Sequence, residues 1–232
     1  MRILVFMSDN RQLAPTLAGA DYNSLSAVIN KEYCKRHGYD FIYYRPHLAE
    51  NTHSVFNCKE PVTGALRHAS WSKLLSTSRA LAEPYDYVVY IDSDCIFKDF
   101  DHKIESFLTE DDILIASDFP YRKTFPCAGM YICKVNDRVR EFIAEWYSVS
   151  IPSKNLNHPW EQKALDTIFK RPGIGMFDTG NFFNEIQGQP LRHVTGHTKL
   201  LKAQRMPYFR AFLETHGIQY DISDIRFEEF ST

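Results

Sequence analysis

Asp92 and Asp94 stand one residue apart near the end of "YDYVVYIDSDCIF", residues 85–97. The run before them, Tyr87 to Ile91, is continuously apolar and either β-branched or aromatic, the pattern of a central strand covered on both faces. Two carboxylates at the end of such a strand repel each other and lose solvation, and a divalent cation compensates for both effects. The position adds to this, because open parallel α/β sheets bind ligands beyond the carboxyl ends of their strands. Against it stands the plainer reading of a D-x-D as a strand-to-loop junction with solvated, turn-forming aspartates.

A second constellation lies in "LRHVTGHTK", where His193, Gly196 and Lys199 form H-x-x-G-x-x-K. An imidazole can complete an oxygen-rich metal site, a glycine lets backbone approach a phosphate, and a lysine offers it a point charge. Together they suit a nucleoside diphosphate; the alternative is a polar surface turn. Three further stretches carry weaker signals. "HPWEQKAL" puts Glu161 and Gln162 at a helix start, where an acidic group also favours the helix dipole. "CAGMYICKVN" places Ala128-Gly129 before an expected strand, either for close approach of a sugar or as a turn. "SDNRQ" follows the first strand, where α/β folds meet a base or ribose, although Asp9-Asn10 is also ordinary turn chemistry.

The elements that must position these residues alternate in the α/β manner. Strands are expected at Ile3–Met7, near Phe41–Tyr44 and at Tyr87–Ile91, with helices across Ser24–His37 and Ala65–Ala82. In the second helix Leu74, Leu75, Ser78, Leu81 and Ala82 form an inward stripe that leaves Lys73 and Arg79 pointing elsewhere. "DILIASDF" and "GMYICKVN" read as short strands, then "DRVREFIAEWYSVS" and "EQKALDTIFK" as amphipathic helices. "RPGIGMFDTGNFFNEIQGQP" breaks regular structure for a long stretch. No repeat or linker divides the chain, so a single domain spanning 1–232 is expected, in two halves, 1–115 and 116–232.

The 232 residues suffice to bury roughly 70–75% of the unfolded surface without a disulfide or structural metal, so a metal here is expected to be functional. A formal charge of −2 leaves no electrostatic footprint for nucleic acid or an anionic membrane. Cys34, Cys58, Cys95, Cys127 and Cys133 include no CxxC pair and read as reduced thiols. No apolar run has the length of a signal segment or membrane span. A cytoplasmic or cytosol-facing location is the expectation.

Taken in order, "NKEYCKRHGYDF", "WSKLLSTSRAL", "YDYVVYIDSDC", "CAGMYICKVN", "PWEQKAL" and "HVTGHTK" resemble glycosyltransferases of the GT-A type over roughly Ile3 to Lys199. The chain looks most like the galactosyl, xylosyl and mannosyl transferases of family 34, and its H-x-x-G-x-x-K is similar to that of the glycogenin-like family 8. The resemblance implies a Rossmann-like α/β fold with a mixed, mostly parallel sheet flanked by helices. It implies Mn2+ (or Mg2+) held by Asp92, Asp94 and His193, with Asp92 shared between metal and ribose. It further implies a nucleoside-diphosphate sugar bound by Asp9, Lys73, Arg79, Asp92, Ser93, Asp94, Gly196 and Lys199, with Glu161 and Gln162 as the catalytic pair beside the transferred sugar. The sequence departs from family 8 in following the lysine with Leu200-Leu201 rather than Pro-Trp, and from family 34 in lacking a membrane anchor and stem.

The implied reaction moves a hexosyl or pentosyl group from a UDP-sugar, or from GDP-mannose, to a glycan or other hydroxyl acceptor, with retention at the anomeric carbon. Three alternatives stay open. An inverting transferase would use Glu161, Asp118 or Asp178 as base. A sugar-phosphate nucleotidyltransferase would carry a Gly-rich basic loop after the first strand, which "SDNRQLAPTLAG" lacks. The last is a non-catalytic nucleotide- or sugar-binding module.

Overall fold

The computed structural model describes residues 1–47, 56–118, 122–177 and 199–231. In chain order the elements are β1 (Ile3–Ser8), α1 (Tyr22–His37), β2 (Asp40–His47), β3 (Phe56–Lys59), β4 (Leu66–His68), α2 (Ser72–Ala80), β5 (Tyr87–Ile91), β6 (Ile113–Asp118), β7 (Arg122–Lys134), α3 (Asp137–Ser148), α4 (Pro152–Asn155), α5 (Trp160–Ile168), β8 (Ile174–Phe177), α6 (Lys199–Thr215) and β9 (Arg226–Ser231).

Seven strands form one sheet in the order β8-β6-β7-β5-β1-β2-β9, and β3 pairs with β4 in a separate hairpin. β1 runs parallel to β2 and β5, β2 to β9, and β6 to β8, whereas β7 is antiparallel to both β5 and β6. The sheet is therefore mixed and mostly parallel, as the resemblance implies. The central strands are buried on both faces: Leu4, Val5, Phe6, Val88 and Val89 are fully inaccessible. On one face, α1 and α6 pack Val28, Ile29, Phe209 and Leu213 against Val5, Met7 and Val89. On the other, α2, α3 and α5 pack Leu74, Trp146 and Leu165 against Leu4, Phe6 and Val88. The result is three layers built around two apolar interfaces.

Local chemistry sets the limits of α1. Asp21 precedes it and accepts a hydrogen bond from the Ser24 N–H at 3.4 Å, and Gly38, at φ 73°, closes it in the left-handed conformation that glycine adopts most readily. Its buried Asn30 does something more specific. The Asn30 amide donates to the Cys95 carbonyl at 3.0 Å and accepts from the Phe97 N–H at 2.9 Å, which pins the segment leaving Asp94 onto the helix.

The structure corrects the expectation around residues 65–82. β4 and a short 3-10 turn precede α2, whose buried face comprises Ser72, Lys73, Leu74, Ser76, Thr77 and Ala80, while Ser78 is exposed. The inward polar groups are satisfied: Ser76 Oγ meets Ser8 Oγ at 2.8 Å, and Thr77 Oγ1 meets the Tyr131 hydroxyl at 2.6 Å. With these partners available, the inward stripe rotates toward Ser76 and Thr77 and takes Lys73 with it. β8, α6 and β9 also lie beyond what the sequence pattern anticipates. None of the five cysteines forms a disulfide. Among the described residues no helix is long and apolar enough to cross a membrane.

Candidate active site at the carboxyl end of the sheet

From β1 the chain crosses to β2 on one side, and it returns later to place β5 on the other. The strand order thus reverses between β1 and β5, the place where open α/β sheets form a crevice for ligands. Asp9 follows β1, and Asp92-Ser93-Asp94 follows β5. The D-x-D backbone is held at both ends, by Asp92 N–H to the Gly129 carbonyl at 2.9 Å and Cys95 N–H to the Asp92 carbonyl at 3.0 Å.

Three linked groups of side chains surround this turn. In the first, Ser93 Oγ donates to Asp9 Oδ2 at 2.6 Å, and Arg11 Nε donates to Asp9 Oδ1 at 2.8 Å. Burial alone would lower the Arg11 pKa, but the Asp9 carboxylate outweighs it and the net shift is upward.

The second group centres on Lys73, only 5% exposed, whose ammonium lies 2.9 Å from Asp92 Oδ1 and 2.8 Å from Glu161 Oε1 and donates to the Ala128 carbonyl at 3.1 Å. Burial opposes its charge, yet Asp92 and Glu161 together raise its pKa. The Tyr90 hydroxyl also donates to Asp92, and its pKa stands well above the usual value through burial first and the Asp92 charge second. Glu161, 4% exposed, keeps Oε2 without a hydrogen-bond partner among the described residues. Such a buried, unsatisfied carboxylate oxygen is an acceptor waiting for a donor.

β7 serves this second group through a bulge. Its register against β6 jumps from Ile115↔Tyr131 to Ala116↔Cys127, so that residues 128–130 have no counterpart on β6. The Ala128 backbone is thereby turned to side chains, its carbonyl to Lys73 and its N–H to Gln162 Oε1 at 3.3 Å. Ala128-Gly129 lies inside β7, not before a strand as the sequence reading has it. α5, which carries Glu161 and Gln162, is anchored by the buried Trp146, whose indole N–H donates to the Glu161 carbonyl at 2.8 Å. Trp160, just ahead of them, adopts φ 43°, a strained backbone for a bulky residue, and stacks on His68 at 4.1 Å.

The third group is absent from the sequence reading. Arg205 of α6, 4% exposed, places Nη2 3.1 Å from Asp94 Oδ2, and its guanidinium lies 4.8 Å from the centre of the Tyr22 ring. Nothing in "KLLKAQRMPYFR" distinguishes this arginine from a solvated helical one. Only the return of α6 across the sheet face brings it to Asp94.

The structure thus brings Asp9, Ser93, Asp92, Asp94, Lys73, Glu161 and Gln162 to one end of the sheet. It does not bring Arg79, which pairs with Glu228 at 3.3 Å and lies over Phe230 near the β9 edge. The reason is helical rise: Arg79 sits six residues beyond Lys73, about 9 Å along the axis toward the opposite end of the strands. Lys199 opens α6, and His193 and Gly196 lie outside the described residues.

Asp92 and Asp94 offer hard oxygen donors, and among the described residues no group of three His, Cys, Asp or Glu side chains is close enough to hold an ion by itself. Two carboxylates of this kind match Mg2+ or Mn2+, whose sites are commonly completed by substrate phosphates and water.

No family model matches the chain, and no curated protein matches it. Solved structures do. The chain aligns over 90% of its length, and 100% of the other chain, with a glycosyltransferase involved in the glycosylation of the major capsid of PBCV-1, at a TM-score of 0.63 and 16% identity. It aligns over 96% of its length with the apo-form glycosyltransferase GlyE of Streptococcus pneumoniae TIGR4, spanning 65% of that chain, at a TM-score of 0.51 and 12% identity. At these identities the likeness is one of fold, and the fold is that of the GT-A glycosyltransferases.

Proposed function

We propose that the protein is a metal-dependent glycosyltransferase that moves a hexosyl or pentosyl group from a nucleoside-diphosphate sugar to a glycan or other hydroxyl acceptor. The observation that carries this reading is the convergence of Asp9, Asp92-Ser93-Asp94 and the Lys73–Glu161 pair at the crevice between β1 and β5. Carboxylates fit ribose hydroxyls and a divalent cation, and a buried acid beside them fits the hydroxyls of a sugar.

In this reading Asp9 and Ser93 meet the nucleoside, while Asp92 and Asp94, with His193, hold Mn2+ or Mg2+. Such an ion, when bound, would supply positive charge to the departing diphosphate. Gly196 lets the backbone approach that diphosphate, and Lys199 adds a further charge. Lys73 holds Asp92 and Glu161 in fixed positions, so these groups need little reorganisation when the sugar arrives. Glu161 accepts a sugar hydroxyl at Oε2, and Gln162, whose Oε1 is engaged by Ala128, offers its amide N–H groups to the same sugar. Transfer with retention is the preferred course, as the resemblance to families 34 and 8 implies. Residues 1–115 form the donor half in this scheme, and the acceptor half, 116–232, supplies Glu161 and Gln162. UDP-sugars are the favoured donors, with GDP-mannose second.

Thermal unfolding with Mn2+ alone and with Mn2+ plus UDP or GDP tests this, on the wild type and on Asp94→Asn. A nucleotide at ~100 times its Kd adds about 2.7 kcal/mol, which at this chain length raises the midpoint by several degrees. Stabilisation by one nucleotide that depends on Mn2+ and is lost in Asp94→Asn is the expected result. A folded wild type that responds to neither nucleotide would overturn the reading. Incubation with UDP-sugars then separates the reaction classes: a transferase releases nucleoside diphosphate, a nucleotidyltransferase with sugar phosphate and nucleoside triphosphate releases pyrophosphate, and a binding module releases neither.

A further inference from the structure

We propose that Arg205 is a resident counter-cation that holds Asp94 when no donor is bound, gives it up to the divalent cation, and passes its guanidinium to the donor's diphosphate. This rests on the transferase reading and adds to it a residue and an exchange step.

Three observations support it. Arg205 is 4% exposed and pairs with Asp94 Oδ2 at 3.1 Å, so one of the two carboxylates meant for a metal is already neutralised by a protein cation. A divalent ion arriving at that oxygen competes with the guanidinium for its negative charge, and the two cations repel each other at such short range. Next, Arg205 Nε is buried with no hydrogen-bond partner among the described residues. A guanidinium with an unused donor is incomplete, and its planar fork matches the paired oxygens of a phosphate. Finally, α6 begins at Lys199, so one helix carries both Lys199 and Arg205.

Lys73 does not offer the same exchange. It is held by Asp92, Glu161 and the Ala128 carbonyl together, whereas among the described residues Arg205 has a single carboxylate partner and the Tyr22 face. Losing Asp94 to a metal would leave Arg205 with only the ring, and a diphosphate restores its charge pairing. Donor arrival and metal arrival are therefore coupled through one side chain.

The test measures Mn2+ binding without nucleotide, by the paramagnetic resonance of free Mn2+, and UDP or GDP binding at saturating Mn2+, by calorimetry. Arg205→Met should tighten Mn2+ by about tenfold, because the competitor is gone, and weaken the nucleotide by about tenfold or more. Arg205→Lys keeps the competing charge and should leave Mn2+ affinity near wild type while still weakening the nucleotide. In an Asp94→Asn background, Arg205→Met should leave Mn2+ affinity unchanged. If Arg205→Met does not fold, the lysine and asparagine variants decide. A folded Arg205→Met with wild-type affinities for both ligands overturns the inference and leaves the transferase reading standing. A wild type that binds neither ligand removes the transferase reading and this inference with it.

Discussion

Ser93 Oγ donates to Asp9 Oδ2 across 2.6 Å, tying the turn after β5 to the turn after β1. The two strands are parallel neighbours that the chain reaches by separate crossovers, so this bond spans the point where the strand order reverses. It sets the height of one carboxylate-bearing turn relative to the other. Ser93→Ala removes the bond while Arg11 still engages Asp9, so the loss of stability is expected to stay within about 1.5 kcal/mol. Nucleotide affinity, read by calorimetry with Mn2+, is expected to fall by about tenfold or less, because Asp9 loses one partner but keeps Arg11. An unchanged affinity would detach Asp9 and Ser93 from the nucleoside.

Lys73 bridges two carboxylates that would otherwise face each other nearly dry. Lys73→Met should cost about 3–5 kcal/mol in urea unfolding, the usual result of leaving buried charge unpaired. Adding Glu161→Gln removes one of the orphaned charges, so the double variant should regain part of that loss, giving a coupling energy of about 1–3 kcal/mol in a double-mutant cycle. Additive effects would mean that Lys73 and Glu161 are neighbours without being partners.

The sheet and its site differ in how far they could be read from sequence. Tyr87–Ile91 announces itself as a buried strand because five apolar residues run without a polar break, and the carboxylates that follow mark its end. Glu161 and Gln162 are legible as a polar pair at a helix start, but the Lys73–Glu161 ion pair is not, since 88 residues separate its partners. The same holds for Arg205, which reaches Asp94 only through long-range packing of α6. α2 misleads for a different reason. Its inward face includes Ser72, Ser76 and Thr77, whose hydroxyls find partners inside the fold, and a search for apolar periodicity passes over such residues. β8 escapes notice because Gly173 and Gly175 read as loop chemistry, although Gly175 pairs in register with Leu114.

Arg79 and Arg67 offer a contrast between two arginines close in sequence. Arg79 is exposed and its partner Glu228 lies on β9, so Arg79→Ala should change stability by less than about 1 kcal/mol and leave nucleotide binding untouched. Arg67 is fully buried, donating to Asn155 Oδ1 at 3.1 Å, to the Tyr147 carbonyl at 2.5 Å and to the Val149 carbonyl at 2.7 Å, with Trp71 against its guanidinium. Arg67→Ala orphans three acceptors and opens a cavity, for an expected loss above about 3 kcal/mol by urea unfolding. A loss of nucleotide binding in a folded Arg79→Ala would restore that residue to the donor site.

His68 gives the fold a pH dependence that can be isolated. Its ring stacks on Trp160, and Nδ1 accepts from the Ser70 N–H at 3.2 Å, a bond that requires Nδ1 to be unprotonated. Burial lowers its pKa from 6.5, the nearby Glu161 charge opposes that shift, and Lys73 reinforces it. The unfolded histidine therefore takes up a proton more readily than the folded one. Above pH 6.5 both forms are neutral and the stability is fully present; as the pH falls through 6.5 toward the lower folded value, the unfolded state binds the extra proton and stability is lost. His68→Phe keeps an aromatic ring against Trp160 but cannot titrate. Its unfolding free energy should decline less steeply than that of the wild type between pH 7 and pH 5, a window chosen to bracket the ordinary histidine pKa of about 6.5. Equal slopes for the two proteins would show that His68 titrates alike in the folded and unfolded states.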